Sequence, residues 1–202
     1  MTTLIDRLVG IEPGSKLDTS FAARSEARTQ AELSYQLLLH PVDAGAVSLL
    51  ERHAIAAFVA MLHDQPETRD HYRALLERSD ADGIAAVVLR EVEAARASGP
   101  YGHFPKGPLS VEDRTGLIYR VPSQARAVLG DRLSAALEQG HLLVLHPRDA
   151  SQAGLQSLLD AGWTTTGIVV LSQLVAFLSF QIRVVSGLRA FAAAHASTAI
   201  PA

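Results

Sequence analysis

The residues from Thr165 to Ala194 constrain the fold more than any others in the chain. The stretch 168–182 is hydrophobic on nearly every face of a helix, so it has to be covered on most sides. Only a bilayer or a ring of neighbouring helices does that. Ser172, Gln173, Ser179 and Gln181 interrupt the run and Arg183 follows directly, whereas a spanning helix wants about 20 consecutive apolar residues. The expectation is therefore a central helix of a soluble bundle, buried in the domain and against another subunit, with no membrane partner. A chain of 202 residues with 48% hydrophobic content can bury one substantial core, so a single domain over residues 1–202 is expected.

The other segments supply the surrounding helices. No stretch has the period-two alternation of a strand, which makes the fold class all-α. Residues 4–11 are a short amphipathic segment stopped by Pro13-Gly14, expected as an arm lying on the domain or on a neighbouring subunit. Ser25–Leu39 is helix-favouring, with Ala27, Ala31, Tyr35 and Leu38 on one side. It ends at His40-Pro41, because a residue before proline is pushed out of the helical region.

Ser48 and Glu51 form an S-x-x-E capping box, in which the hydroxyl and the carboxylate satisfy N–H groups left unpaired by the first turn. The helix that starts there carries Leu50, Ala54, Ala57, Phe58, Met61 and Leu62 at three- and four-residue spacing, and Arg52 and His63 on a second face. A corner follows at His63-Asp64-Gln65-Pro66. Proline is tolerated in a first helical turn, so Pro66 and Glu67 open the next helix, which runs on through Tyr72, Leu75 and Leu76.

Further helices are expected at 82–97, with Ile84, Val87, Val88 and Val92 inward, at 124–145, and from Asp149 or Ser151 to Asp160, closed by Gly162. Ser110 and Asp113 look like one more helix start. Between them, residues 99–109 (GPYGHFPKGPL) form a long irregular piece that reads as a connector packed down by its aromatics, with a lid or an oligomer contact as the functional alternative. Leu39-His40-Pro41-Val42-Asp43-Ala44 recurs as Leu145-His146-Pro147-Arg148-Asp149-Ala150, each time ending one helix and introducing another. The echo points to two related helical halves, with His40 and His146 placed where a helix C-terminus favours positive charge.

Composition narrows the chemistry. A formal charge of −3 with scattered lysine and arginine argues against a nucleic-acid or anionic-membrane surface. Acids within the first twelve residues and the lack of an early apolar run make an export signal unexpected, and a cytoplasmic location is the plain reading. The chain has no cysteine, which removes disulfides, thiolate metal sites, iron–sulfur clusters and cysteine nucleophiles.

The run Glu51-Arg52-His53-Ala54-Ile55-Ala56 through His71-Tyr72 resembles the core segment of the carboxymuconolactone decarboxylase and alkylhydroperoxidase D-like superfamily, in particular its peroxidase-related branch. There the segment reads E-R-E-x-I-A and then C-x-x-C-x-x-H-H at the start of the next helix. Phe177-Leu178-Ser179-Phe180-Gln181-Ile182-Arg183 is similar to the branch's F-F-N-F-x-N-R segment on its last helix. The likeness covers roughly residues 45–188, with 1–40 as an N-terminal helical arm, and it implies an all-helical fold assembling as trimers or hexamers. Carried over by position, the relay glutamate falls on His53, the two cysteines on Gln65 and Thr68, and the relay histidine on Tyr72, with His71 matching the neighbouring histidine. The family's cysteines use a helix N-terminus to stabilise a thiolate. Gln65 and Thr68 keep the place without that capacity, so a thiol-peroxidase reaction is excluded for this chain acting alone.

Three readings of the corner follow. In one, His53, Thr68, His71 and Tyr72 form a cysteine-free acid/base site for a small organic substrate, with no cofactor. In another the site is inactive and the chain is a structural or regulatory partner of a cysteine-bearing relative. A metal site from Glu67 and His71, with His53 or His63 opposite, is the third; no recognised zinc motif accompanies it, so none is expected.

Overall fold

The computed structural model describes residues 2–80 and 82–197, apart from the side chains of 195–197. The regular structure of these residues is helical, in nine α-helices: α1 (Leu4–Val9), α2 (Lys16–Ala22), α3 (Ser25–Leu39), α4 (Leu49–His63), α5 (Pro66–Ser79), α6 (Ile84–Ala95), α7 (Ser123–Leu145), α8 (Gln152–Asp160) and α9 (Thr165–Ser197). Two single 3-10 turns, at Pro108–Glu112 and Pro147–Asp149, and one bridge between Gly102 and Arg114 complete the described elements. Residues 198–202, included in the expected domain, lie outside the described residues.

Local chemistry accounts for where the helices begin and end. Ser48 Oγ accepts the Glu51 N–H at 3.3 Å while the Glu51 carboxylate accepts the Ser48 N–H at 2.8 Å, so the capping box forms as the sequence implies. Asp64 takes a left-handed conformation at φ 49° after α4, and Pro66 occupies the first turn of α5. Arg132 then fastens the start of α4 to α7 and to the α8–α9 junction. Its guanidinium pairs with Glu51 at 2.5 Å, donates to Gly162 O and Ala46 O, and lies 4.3 Å from the centre of the Trp163 ring.

The core is organised around α4, where every residue of 52–61 is buried. Ala54, Ala56, Ala57 and Ala60 present so little bulk that neighbours approach on all sides. α9 was expected in this central place. It is long and apolar enough to cross a membrane by length and composition, yet only one of its faces is inside. Leu171, Leu174, Phe177, Leu178 and Ile182 pack into the bundle, while Val169, Gln173, Ala176, Phe180 and Arg183 point outward. α4 is covered all round because α5, α6, α7 and α9 all pack on it.

Several smaller segments differ from expectation. α1 lies on its own domain: Ile5 packs with Ala31 and Val185, and the buried Asp6 carboxylate pairs with Arg28 at 2.8 Å. α2, capped by Ser15, was not foreseen. Ser110 and Asp113 do not start an α-helix, because the chain after the Pro108–Glu112 turn runs extended, with Arg114 paired to Gly102 and Gly116 pressed against the Tyr101 ring. A Cβ on Gly116 would come within 2.3 Å of that ring, so only glycine fits. α7 is interrupted at Gly130, whose φ of 74° and ψ of 165° are open to glycine without strain.

The 99–109 segment is fastened to the bundle at Tyr101 and Phe104, while residues 105–109 are exposed. Tyr101 N–H donates to Leu145 O at 2.6 Å, Phe104 N–H to Asp113 at 2.7 Å, and the Arg148 guanidinium covers the Phe104 ring at 4.1 Å. The sequence echo recurs in conformation. His40 (φ −133°, ψ 43°) and His146 (φ −129°, ψ 44°) close α3 and α7 in the same way, each N–H donating to the carbonyl four residues back.

Candidate functional site

The five residues singled out at the α4–α5 corner are largely consumed in holding helices together. His53, on the buried α4, places Nε2 2.8 Å from Leu39 O and Nδ1 2.6 Å from Ser79 Oγ. A carbonyl only accepts, so Nε2 carries the proton. Burial, reinforced by the neighbouring His40, pushes the His53 pKa down, and the ring is neutral near pH 7. Nδ1 is therefore an acceptor, and the Ser79 hydroxyl donates to it in preference to Leu75 O at 3.1 Å. Thr68 is fully buried and its hydroxyl donates to Gln65 O at 3.0 Å. Tyr72 is fully buried too. Its phenol donates to Gln181 Oε1, which leaves the buried Gln181 Nε2 without a hydrogen-bond partner.

His71 joins a different string. Its Nε2 lies 3.1 Å from the Tyr35 hydroxyl, which lies 2.8 Å from His40 Nε2. Tyr35 has one proton to give, so one imidazole accepts from it and the other donates to it. The His71 ring meets the Tyr72 ring edge-on at 4.9 Å and the His40 ring lies 5.8 Å from that of His53. Thus His53, His71 and Tyr72 lie along one line of aromatic groups, bridged by His40 and Tyr35, but no direct hydrogen bond links any two of the three. None of the five main cavities is lined by His53, Thr68, His71 or Tyr72. Gln65 differs. It is the N-cap residue of α5, its side chain makes no cap bond, and it lines a cavity of about 320 Å3 together with His63, Arg183 and Ser186.

That small cavity meets a larger one of about 670 Å3 at His63 and Arg183. The larger space lies between the end of α4, the last turn of α7, the middle of α9 and the Gly99-Pro100 segment. Its walls are mainly apolar, from Leu62, Leu143, Val144 and Val175 among others, with Ser172, Ser179, His63 and Arg183 as polar groups. A volume of this size with a few converging polar side chains is the ordinary form of a small-molecule site. His63 Nε2 lies 3.3 Å from Ser179 Oγ, so the imidazole and the hydroxyl are a pair on the cavity wall.

His63 is held at about 4, chiefly by burial and then by the positive charge of Arg183. It is therefore a neutral imidazole near pH 7, with one ring nitrogen carrying a proton and the other a lone pair. Ser172 is less available, because its hydroxyl donates to Ile168 O at 2.8 Å. Among the described residues Arg183 makes no ion pair, and no acidic side chain lines either cavity.

The sequence puts His63 on a polar helix face and serines along α9, but does not by itself bring the two together. A signal was present: Ser172, Ala176, Ser179 and Arg183 recur at helical spacing, a small and polar stripe through an apolar helix. Tyr35 and His40 were read as core and helix-end residues and turn out to share one hydrogen-bonded string with His71. Among the described residues no three His, Asp or Glu side chains gather as a metal site. Glu67, considered for one, instead pairs with Arg189 at 2.5 Å. Comparison of the chain with family models, with curated proteins and with solved structures returns no match.

Proposed function

We propose that this chain is a cysteine-free acid/base protein acting on a small organic molecule held between α4, α7 and α9, with His63 as the proton-handling group and Ser179 as its partner. The observation that carries this reading is the 3.3 Å pair of His63 Nε2 and Ser179 Oγ on the wall of a cavity of about 670 Å3. The neutral, part-buried imidazole offers a nitrogen lone pair to a substrate proton, and it becomes an effective base only when a bound group raises its pKa from about 4 towards neutral pH. The wider frame is that of an alkylhydroperoxidase D-like, carboxymuconolactone-decarboxylase-type protein, peroxidase-related and of antioxidant-defence type by resemblance, in which Gln65 is the motif position that reaches the cavities. What supports the frame is the capping box of α4, the Pro66 corner and the helical fold. As in that frame, the chain is read as a cytoplasmic homo-oligomer, a trimer or a hexamer. Val169 and Phe180, exposed on one face of α9 and three turns apart, suit a subunit contact.

The test is proton exchange. Small carbonyl compounds incubated with the protein in D2O should exchange hydrogen next to the carbonyl, as read by NMR. Exchange should be lost in His63→Gln and kept in His53→Gln. Equal exchange in both variants and wild type, or none with any compound, contradicts the reading.

One observation favours a second reading, that of a catalytically inactive structural or regulatory partner of a cysteine-bearing relative. His53, Thr68 and Tyr72 are buried and hydrogen-bonded to groups of the bundle, so the motif positions serve packing. Recovery of such a relative with the tagged chain from native extract supports it, and self-assembly alone counts against it.

A further inference from the structure

We propose that the cavity beside His63 takes an organic carboxylate with an aliphatic body, the carboxylate held by Arg183 and the hydrocarbon lying between α7 and α9. The inference rests on the reading of this cavity as the functional site and names the class of molecule it holds. Arg183 is the one formally charged side chain lining either cavity, it is exposed, and it makes no ion pair among the described residues. Such a cation, bordering a space walled by Leu62, Leu143, Val144 and Val175, asks for a negative head and an apolar remainder.

One planar guanidinium matches one carboxylate, two parallel N–H groups against two oxygens, and as the one cation lining either cavity it balances the single charge of a carboxylate better than the double charge of a phosphate dianion.

A bound carboxylate also changes its neighbour. Arg183 contributes to holding His63 low, and an anion seated on Arg183 offsets that field and favours the imidazolium. The imidazole thereby becomes a better proton acceptor when the cavity is filled. This couples the choice of ligand to the chemistry of His63, since a neutral molecule of the same shape leaves the field of Arg183 in place.

The experiment uses the full chain and three probes: octanoate, octan-1-ol and acetate, titrated by calorimetry into wild type and Arg183→Gln. Octanoate should bind at least about tenfold more tightly than octan-1-ol to wild type, the worth of a charge-assisted pair. Arg183→Gln should erase that difference while leaving octan-1-ol binding unchanged, and acetate, lacking the body, should give no measurable heat. Equal binding of octanoate and octan-1-ol to wild type, unaltered by Arg183→Gln, overturns the carboxylate assignment and leaves the cavity as a site. Absence of binding by all three probes, with the His63 ring resonances unmoved, overturns both the assignment and the site.

Discussion

Ser179 Oγ stands 3.3 Å from His63 Nε2, and the two side chains come from segments 116 residues apart in the chain. The end of α4 and the middle of α9 meet there, at the junction of two cavities. The polar groups around the α4–α5 corner divide into those that reach a cavity, His63 and Gln65, and those that hold helices.

The first prediction concerns acid stability. His63, His71 and His141 are each held at about 4, against an ordinary value of 6.5, with burial as the first cause in every case. The unfolded chain takes up these protons as pH falls below about 6.5 while the folded chain resists until about 4. The stability these groups contribute is therefore complete above about 6.5 and is lost as pH falls towards 4. Denaturant unfolding measured from pH 7 to 4.5 should show a falling free energy to whose slope these three rings contribute close to three protons, His40 and His53 adding to it in the same direction, and His63→Asn should remove close to one proton. A flat profile contradicts the burial of these rings.

Tyr72 is predicted to matter for stability and not for ligand binding. Tyr72→Phe leaves Gln181 Oε1 unpaired beside an Nε2 that already has no partner, and should cost about 1–3 kcal/mol. Adding Gln181→Met removes both orphaned groups, so the double variant should recover most of the loss. Thermal unfolding of the two variants decides this. A Tyr72→Phe protein of unchanged stability that fails to bind ligand would return Tyr72 to a functional role.

Arg52 should be among the least replaceable residues. Its buried guanidinium donates to Val47 O, Leu38 O and Ala44 O, tying the α3–α4 connection to α4. A lysine ammonium cannot span three divergent carbonyls from one position. Arg52→Lys should destabilise by roughly 1–3 kcal/mol, read from the denaturation midpoint. Full stability of that variant would mean that the three bonds are dispensable.

Peroxide is predicted to survive. With no cysteine anywhere in the chain, hydrogen peroxide mixed with the protein and a dithiol reductant should disappear no faster than without protein. Catalytic turnover in that assay would overturn the assignment to non-thiol chemistry.

Local signals were readable wherever neighbouring residues decide the structure. The Ser48–Glu51 box, Pro66 at the head of α5 and the repeated Leu-His-Pro corner all act within one turn of helix, and the structure contains each of them. The cavity was not readable, because α4, α7, α9 and the Gly99-Pro100 segment each contribute only part of its wall. Helical periodicity names the face of a helix but not what that face meets. The same limit explains α9: its hydrophobicity announced burial, but the alanines of α4 decided which helix occupies the centre. Residues 53, 68 and 72 stand out in the sequence only by their places in the resembled motif, and they lie in an apolar setting. In the fold that setting is what makes them hydrogen-bond to the bundle, since a buried polar group without a partner is costly.

The most direct test is the side-chain NMR spectrum of the histidines in the full-length protein, recorded while small organic acids, ketones and alcohols are titrated in. One or more of these molecules should shift the ring resonances of His63 while those of His53 and His71 stay in place. Shifts confined to His53 and His71, with His63 unmoved, would put the site back at the α4–α5 corner and contradict a site at His63.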